Sequence, residues 1–126
     1  MCGILGEFGS VLTSKKSFKE ILQLSKNRGP DMHGVYKDSD IQFGFNRLSI
    51  LDTTSNGNQP IQSPSKRYVI VCNGEILNYK KLIKRLNIQK KDLRSSVDIE
   101  VIGHALDIWG YEKTIKNIVE MFAIAI

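Results

Sequence analysis

The sequence holds little of what most site-building chemistries need. Two cysteines, Cys2 and Cys72, stand among 126 residues, too few for a disulfide framework. The two histidines, His33 and His104, have no ligand-spaced neighbours, so no metal site is expected. No apolar run approaches the roughly 18 residues of a transmembrane helix. A glycine-punctuated strand stands where a signal peptide would carry its charged and apolar regions. No internal repeat and no linker divides the chain. These absences point away from membrane spans, secretion and metal chemistry, and towards one domain in a reducing cytoplasm. An apolar content of 41% is enough for a core.

The formal charge is +5, and Lys80, Lys81, Lys84, Arg85, Lys90, Lys91 and Arg94 crowd one segment. Neither aromatic interleaving nor zinc spacing accompanies them, so a solvated helix face is the preferred reading over nucleic-acid binding.

What is present begins with Met1-Cys2-Gly3-Ile4-Leu5-Gly6-Glu7-Phe8-Gly9. Removal of Met1 would make Cys2 the terminus, giving one residue a thiol and a free α-amine. A thiolate is the nucleophilic form, and an α-amine titrating near neutrality can take the thiol proton. The alternative is an ordinary buried cysteine near an ordinary start. Cys2–Phe8 reads as a buried strand, with Ile4, Leu5 and Phe8 as anchors. Ser17-x-x-Glu20 reads as the capping box of a helix ending near Asn27, with Phe18, Ile21, Leu22 and Ser25 on one face. Arg28-Gly29-Pro30-Asp31 is a turn, followed by a strand over His33–Lys37. Alternation over Ile41-x-Phe43-x-Phe45 predicts a half-buried strand running into Asn46-Arg47-Leu48-Ser49-Ile50-Leu51-Asp52. Arg47 is either a surface arginine or a carboxylate clamp, for which its planar fork is suited.

Thr53–Lys66 reads as a long polar loop. Over Tyr68–Cys72, alternation puts Tyr68, Ile70 and Cys72 on one face of a strand, and Val69, Val71 and Asn73 on the other. Asn73-Gly74 would ordinarily mark a hairpin, but no second strand follows. The pair can instead offer a side-chain amide next to an unhindered backbone N–H. Helices are expected from Asn78 to about Leu86, from an Asp98 N-cap to Trp109, and over Glu112–Val119. Met121–Ile126 reads as an apolar strand.

Four stretches carry a resemblance: Cys2-Gly3-Ile4-Leu5-Gly6, Arg28-Gly29-Pro30-Asp31-x-His33-Gly34, Asn46-Arg47-Leu48-Ser49-Ile50-x-Asp52, and Asn73-Gly74-Glu75-Ile76-x-Asn78-Tyr79. In this order the chain resembles the class II glutamine amidotransferase domain of glutamine-hydrolysing asparagine synthetases. Gln59-Pro60, Asp98-x-Glu100-Val101-Ile102 and Met121-Phe122-Ala123 extend the match. The resemblance implies an α+β fold, the N-terminal-nucleophile αββα sandwich of mainly antiparallel sheets. It implies Cys2 as nucleophile and its α-amine as base, with Asn73 and Gly74 as oxyanion donors. Arg47 would hold the α-carboxylate of L-glutamine, the backbone of Leu48, Ser49, Ile50 and Leu51 would line the pocket, and Glu75 and Asp98 would face the α-ammonium. It implies no cofactor for the glutaminase step. ATP and Mg would belong to a synthetase domain or subunit that accepts the ammonia. Two alternatives stand beside it: an N-terminal-nucleophile hydrolase of another amide, and an inactive remnant that binds glutamine or a partner.

Three departures from the family pattern are visible. Leu77 replaces an aromatic residue, and Val97 replaces the Ser or Thr before Asp98. The chain is also shorter than the family's domain and holds no synthetase part. Residues 1–126 are therefore read as the N-terminal portion of the amidotransferase domain. The expectation follows that Val69, Val71, Ile102 and Trp109 are partly exposed, and that the chain alone aggregates, self-associates into a homo-oligomer through the Met121–Ile126 edge, or accepts strands from another chain.

Overall fold

The computed structural model describes residues 2–50, 52–119 and 121–126. Six strands form two three-stranded antiparallel sheets. The first sheet has β1 (Gly3–Phe8) and β2 (Met32–Lys37) flanking β3 (Ile41–Arg47), and the second has β4 (Ile61–Gln62) and β6 (Phe122–Ala125) flanking β5 (Val69–Gly74). The helices are α1 (Lys15–Gln23), α2 (Tyr79–Arg85), α3 (Glu100–Trp109) and α4 (Tyr111–Asn117). Among the described residues no helix is long and apolar enough to cross a membrane.

The two central strands explain the layering. Successive side chains of a strand point to opposite faces. Phe43 and Phe45 of β3 meet Val71 of β5 in one buried cluster, joined at its rim by Cys2, Ile4, Tyr36 and Val69. That cluster glues sheet to sheet. The other face of β5, Ile70 and Cys72, packs with Leu82, Ile102, Ala105 and Leu106 of α2 and α3. The other face of β3 is covered by α1, whose Phe18 and Leu22 close over Gly44. The order is thus helix, sheet, sheet, helices, and the alternation read across Tyr68–Asn73 is the one observed.

Several local expectations are corrected. The cap of α1 is Ser14 rather than Ser17, three residues earlier: the Ser14 hydroxyl accepts from the Ser17 N–H (3.1 Å). Ile21 is largely exposed, and so is Phe8, which meets Phe43 only edge-on. Strand β3 is buried on both faces. Its polar Gln42 and Asn46 fit under α1 because the Gln42 amide donates to Thr13 O (2.8 Å) and the Asn46 amide to Leu22 O (2.7 Å). The long loop contains β4. Asp98 does not cap α3: the helix starts at Glu100, and the Asp98 carboxylate accepts from the Ile76 and Ile99 N–H groups instead. Strand β5 runs on through Gly74 rather than ending at Cys72 and pairs with β6 there, so Asn73-Gly74 is no hairpin turn, in keeping with the sequence reading. Val69 and Trp109 are partly exposed as expected, whereas Val71 and Ile102 are fully buried.

Candidate active site

The site sits where β3 and β5 end side by side between the sheets. The register Gly3↔Asn46 places Cys2 alongside Arg47 and Leu48. The Leu48 N–H donates to Cys2 Sγ at 3.4 Å, and the thiol lies 3.8 Å from Leu48 O. Arg28 Nε donates to the Cys2 carbonyl at 3.2 Å, anchoring the backbone next to the thiol. A cavity of about 390 Å³ opens here, within the usual range for a small-molecule site. Cys2, Arg47, Leu48, Ile50, Asn73, Gly74, Glu75 and Asp98 all line it. Ser49 does not: its N–H donates to Asp31 Oδ2 at 2.7 Å, which ties this loop to the Arg28–Asp31 turn. Leu51 lies outside the described residues.

Arg47 is buried, and it is seated by carbonyls rather than by acids. Its Nη1 donates to Thr54 O at 2.7 Å, and its Nη2 donates to Asp52 O. Met32 Sδ stands 3.8 Å from Nη1. A guanidinium has five N–H donors, so the Nε–H and one Nη2–H remain unpartnered among the described residues. No carboxylate among those residues forms an ion pair with it. The seat is held in turn by Asp52, whose carboxylate accepts from Thr54 N and Oγ1 (2.8 and 2.7 Å) and from Ser96 N and Oγ (both 3.2 Å). These bonds, led by the Thr54 hydroxyl and then the Thr54 N–H, keep Asp52 well below the usual carboxylate range.

Asp98 faces the cavity from the loop before α3. Its Oδ2 accepts from the Ile76 N–H, and its Oδ1 from the Ile99 N–H at 3.0 Å. The first bond holds the segment that carries Glu75. Each carboxylate oxygen can accept a further bond, so the acid retains capacity towards a ligand cation.

The Asn73 side chain makes no hydrogen bond among the described residues. It belongs to the inter-sheet face of β5, the face of Val71 and the rim of Cys2. Gly74 follows from strand alternation. The Cys72 N–H points to the β4 edge, where it donates to Gln59 Oε1 at 2.6 Å. Two residues on, the Gly74 N–H points to that same edge, beyond the last paired residue of β4. Cys72 itself turns its thiol to the helix side. Its pKa is pushed up to about 12, first by burial, then by the Asp98 carboxylate and by Cys2 nearby.

Two residues with no role in the sequence reading also shape the cavity. Gln59 binds the Cys72 backbone through its side chain, and Gly57 lies against the Arg47 guanidinium. Gln59-Pro60 was visible as part of a motif, but its partner stands 13 residues away and nothing local signals the bond. Among the described residues no group of three or more His, Cys, Asp or Glu side chains could hold a metal ion.

Comparison with known proteins gives a consistent picture. A family described as a glutamine amidotransferase domain matches residues 1–126. Asparagine synthetase [glutamine-hydrolyzing] 1 of Arabidopsis thaliana is 37% identical over 115 residues, which cover 89% of this chain and 19% of that protein. Asparagine synthetase [glutamine-hydrolyzing] 2 of the same plant is 36% identical over 126 residues, 98% of this chain and 21% of that protein. Asparagine synthetase [glutamine-hydrolyzing] 1 of Bacillus subtilis is 36% identical over 107 residues, 81% of this chain and 17% of that protein. The chain thus spans about a fifth of the length of the curated relatives it matches.

Proposed function

Since the chain belongs to the glutamine amidotransferase domain family, we propose that it hydrolyses the side-chain amide of L-glutamine and hands the ammonia to an ATP-dependent synthetase of the asparagine synthetase kind. The synthetase, with its ATP and Mg, lies in another domain or subunit, and residues 1–126 are the N-terminal portion of a type 2 amidotransferase domain in a cytoplasmic protein. One observation carries the reading: a thiol, an arginine and an amide with donors unpartnered among the described residues, the backbone of Gly74 and two acids converge on a single cavity.

The chemistry assigned to these groups is as follows. With Met1 removed, the Cys2 α-amine takes the thiol proton and the thiolate attacks the side-chain amide carbon of glutamine. The oxygen of the tetrahedral adduct is met by the Asn73 side-chain N–H and the Gly74 backbone N–H. The Cys2 α-ammonium so formed gives its proton to the departing nitrogen, ammonia leaves, and a thioester remains on Cys2. Water, activated by the same amine, cleaves the thioester to glutamate and restores the thiol. No cofactor enters. Arg47 receives the α-carboxylate on its spare N–H groups, beside the backbone of Leu48–Leu51. Glu75 and Asp98 receive the α-ammonium. Two acids facing an arginine across one cavity suit a zwitterion better than a simple acyl amide.

Glutamate release from glutamine tests the proposal. Cys2→Ala and a retained N-terminal extension should each abolish turnover, and mass spectrometry of the active protein should find Met1 absent. Glutamine should be strongly preferred over its N-acetyl and α-amide analogues. An extended protein that hydrolyses glutamine at the normal rate would refute the mechanism, and equal use of the analogues would refute the substrate assignment.

A further inference from the structure

The register of the second sheet leaves a missing rung beside the site. Strand β4 pairs with β5 through Ile61↔Ile70 and Gln62↔Val69. Carried on, that register would set Pro60 opposite Val71 and the Gln59 backbone opposite Cys72. The Gln59 backbone is not there. It turns to the other sheet, where its carbonyl presses on Gly34 of β2 so closely that a side-chain carbon at Gly34 would collide with it. The Gln59 side chain takes the vacant place instead. Its Oε1 accepts from the Cys72 N–H at 2.6 Å and its Nε2 donates to the Cys72 carbonyl at 3.1 Å, both buried. An amide side chain reproduces the donor and acceptor of a backbone pair, so one residue bridges the two sheets and supplies the last rung on this edge of β5. The next N–H on the same edge is that of Gly74, and the side chain between them is Asn73.

Resting on the glutaminase reading above, we infer that Gln59 is a positioning residue for amide hydrolysis. Its side chain fixes β5 at Cys72, and through it the height at which the Gly74 N–H and the Asn73 amide meet the tetrahedral oxygen. It acts on the transition state through the strand, not on the bound amino acid, whose charged groups are held by Arg47, Glu75 and Asp98. A shift of the donors therefore lowers kcat and leaves KM in place.

Steady-state glutaminase kinetics on the natural polypeptide test this with two variants. Gln59→Met keeps the volume and loses both bonds; kcat should fall on the order of 10- to 100-fold, as for a small misplacement of catalytic groups, with KM within about twofold. Gln59→Glu adds a signature that packing alone does not move. A protonated carboxyl can both donate to Cys72 O and accept from Cys72 N–H, whereas a carboxylate turns a second acceptor towards the Cys72 carbonyl. The ratio of its kcat to that of wild type should therefore rise as pH falls from about 8 to about 5. Cys2, Cys72, Arg47, Glu75 and Asp98, which line the same cavity, are common to both proteins, so their titration largely divides out. A folded Gln59→Met protein with wild-type kcat, a rise in KM matching the loss in kcat, or a ratio flat in pH would overturn the inference. Failure of both variants to fold would do so too, by showing a structural role only. A wild-type protein that does not hydrolyse glutamine would instead defeat the functional proposal, and the inference with it.

Discussion

Asn73→Ala separates catalysis from folding more sharply than any other substitution in the site. The Asn73 amide makes no hydrogen bond among the described residues, and its side chain is half-exposed at the cavity wall. Its removal therefore strands no buried partner. Surface-like substitutions of this kind stay within about 0.5 kcal/mol. For a chain of this length that corresponds to a change in Tm of roughly 1–3 °C. The loss in catalysis is of another size. An oxyanion donor is worth about 2.7–4 kcal/mol, or 10²–10³ in kcat. Stability and rate should thus move by amounts that differ several-fold in free energy. The assay is glutamate release under saturating glutamine, paired with thermal unfolding of the same preparation. A kcat within threefold of wild type would refute the oxyanion assignment. A large fall in Tm would show that Asn73 holds the fold, contrary to its lack of partners.

Arg47→Lys should behave differently, because the guanidinium both seats itself on Thr54 O and Asp52 O and reaches the cavity; KM should rise, and unfolding should shift by about 1–3 kcal/mol for carbonyls left short of donors, with an unchanged denaturation curve as the contrary result. Asp52 titrates below its ordinary 3.8 in the folded chain, so its stabilisation is complete above that value and is lost as pH falls through the lowered one. Asp52→Asn should flatten the acid limb of Tm against pH below about 4, and parallel limbs would argue against the clasp. Cys72 holds its proton up to about 12 when folded, whereas its ordinary value is 9.0; its contribution is present below 9.0 and declines as pH rises towards 12, because only the unfolded chain ionises there. Iodoacetamide at neutral pH should accordingly label Cys2 in the native protein and both cysteines in denaturant, and mass spectrometry finding native Cys72 labelled at the same rate would contradict its burial.

The period-two signal in Tyr68–Asn73 was enough to sort the side chains onto two faces, but not to say which face meets the other sheet and which the helices, because β5 is apolar on both sides. The cavity lining was legible chiefly through the family resemblance; the residues alone left Cys2, Arg47 and Asp98 open between a site and an ordinary structural role, because the distant contacts that gather them are not local in sequence. Other features depend on partners distant in the chain. Alternation in β3 suggested one wet face, since Gln42 and Asn46 look like solvent residues until the turn before α1 presents the Thr13 carbonyl and α1 the Leu22 carbonyl to them. Ser14 and Ser17 are both good caps, and the choice between them is made by where Phe18 and Leu22 must land on Gly44. Asp98 has the position of a cap, but the Ile76 N–H claims its carboxylate from 22 residues away.

Gly74 offers a way to tell a working site from a retired one. A carbon placed on Gly74 would lie 2.6 Å from Phe122 Cβ and 2.8 Å from Met121 O, because β6 crosses it. The glycine is thus required for the second sheet to close, whether or not glutamine is ever cleaved. Asn73, one residue earlier, answers to no such demand. A copy of this chain released from catalysis would keep its glycine and be free to lose its asparagine. Under the proposed mechanism, Gly74 in a related sequence would therefore say nothing about activity, whereas loss of Cys2 or Asn73 would mark its absence.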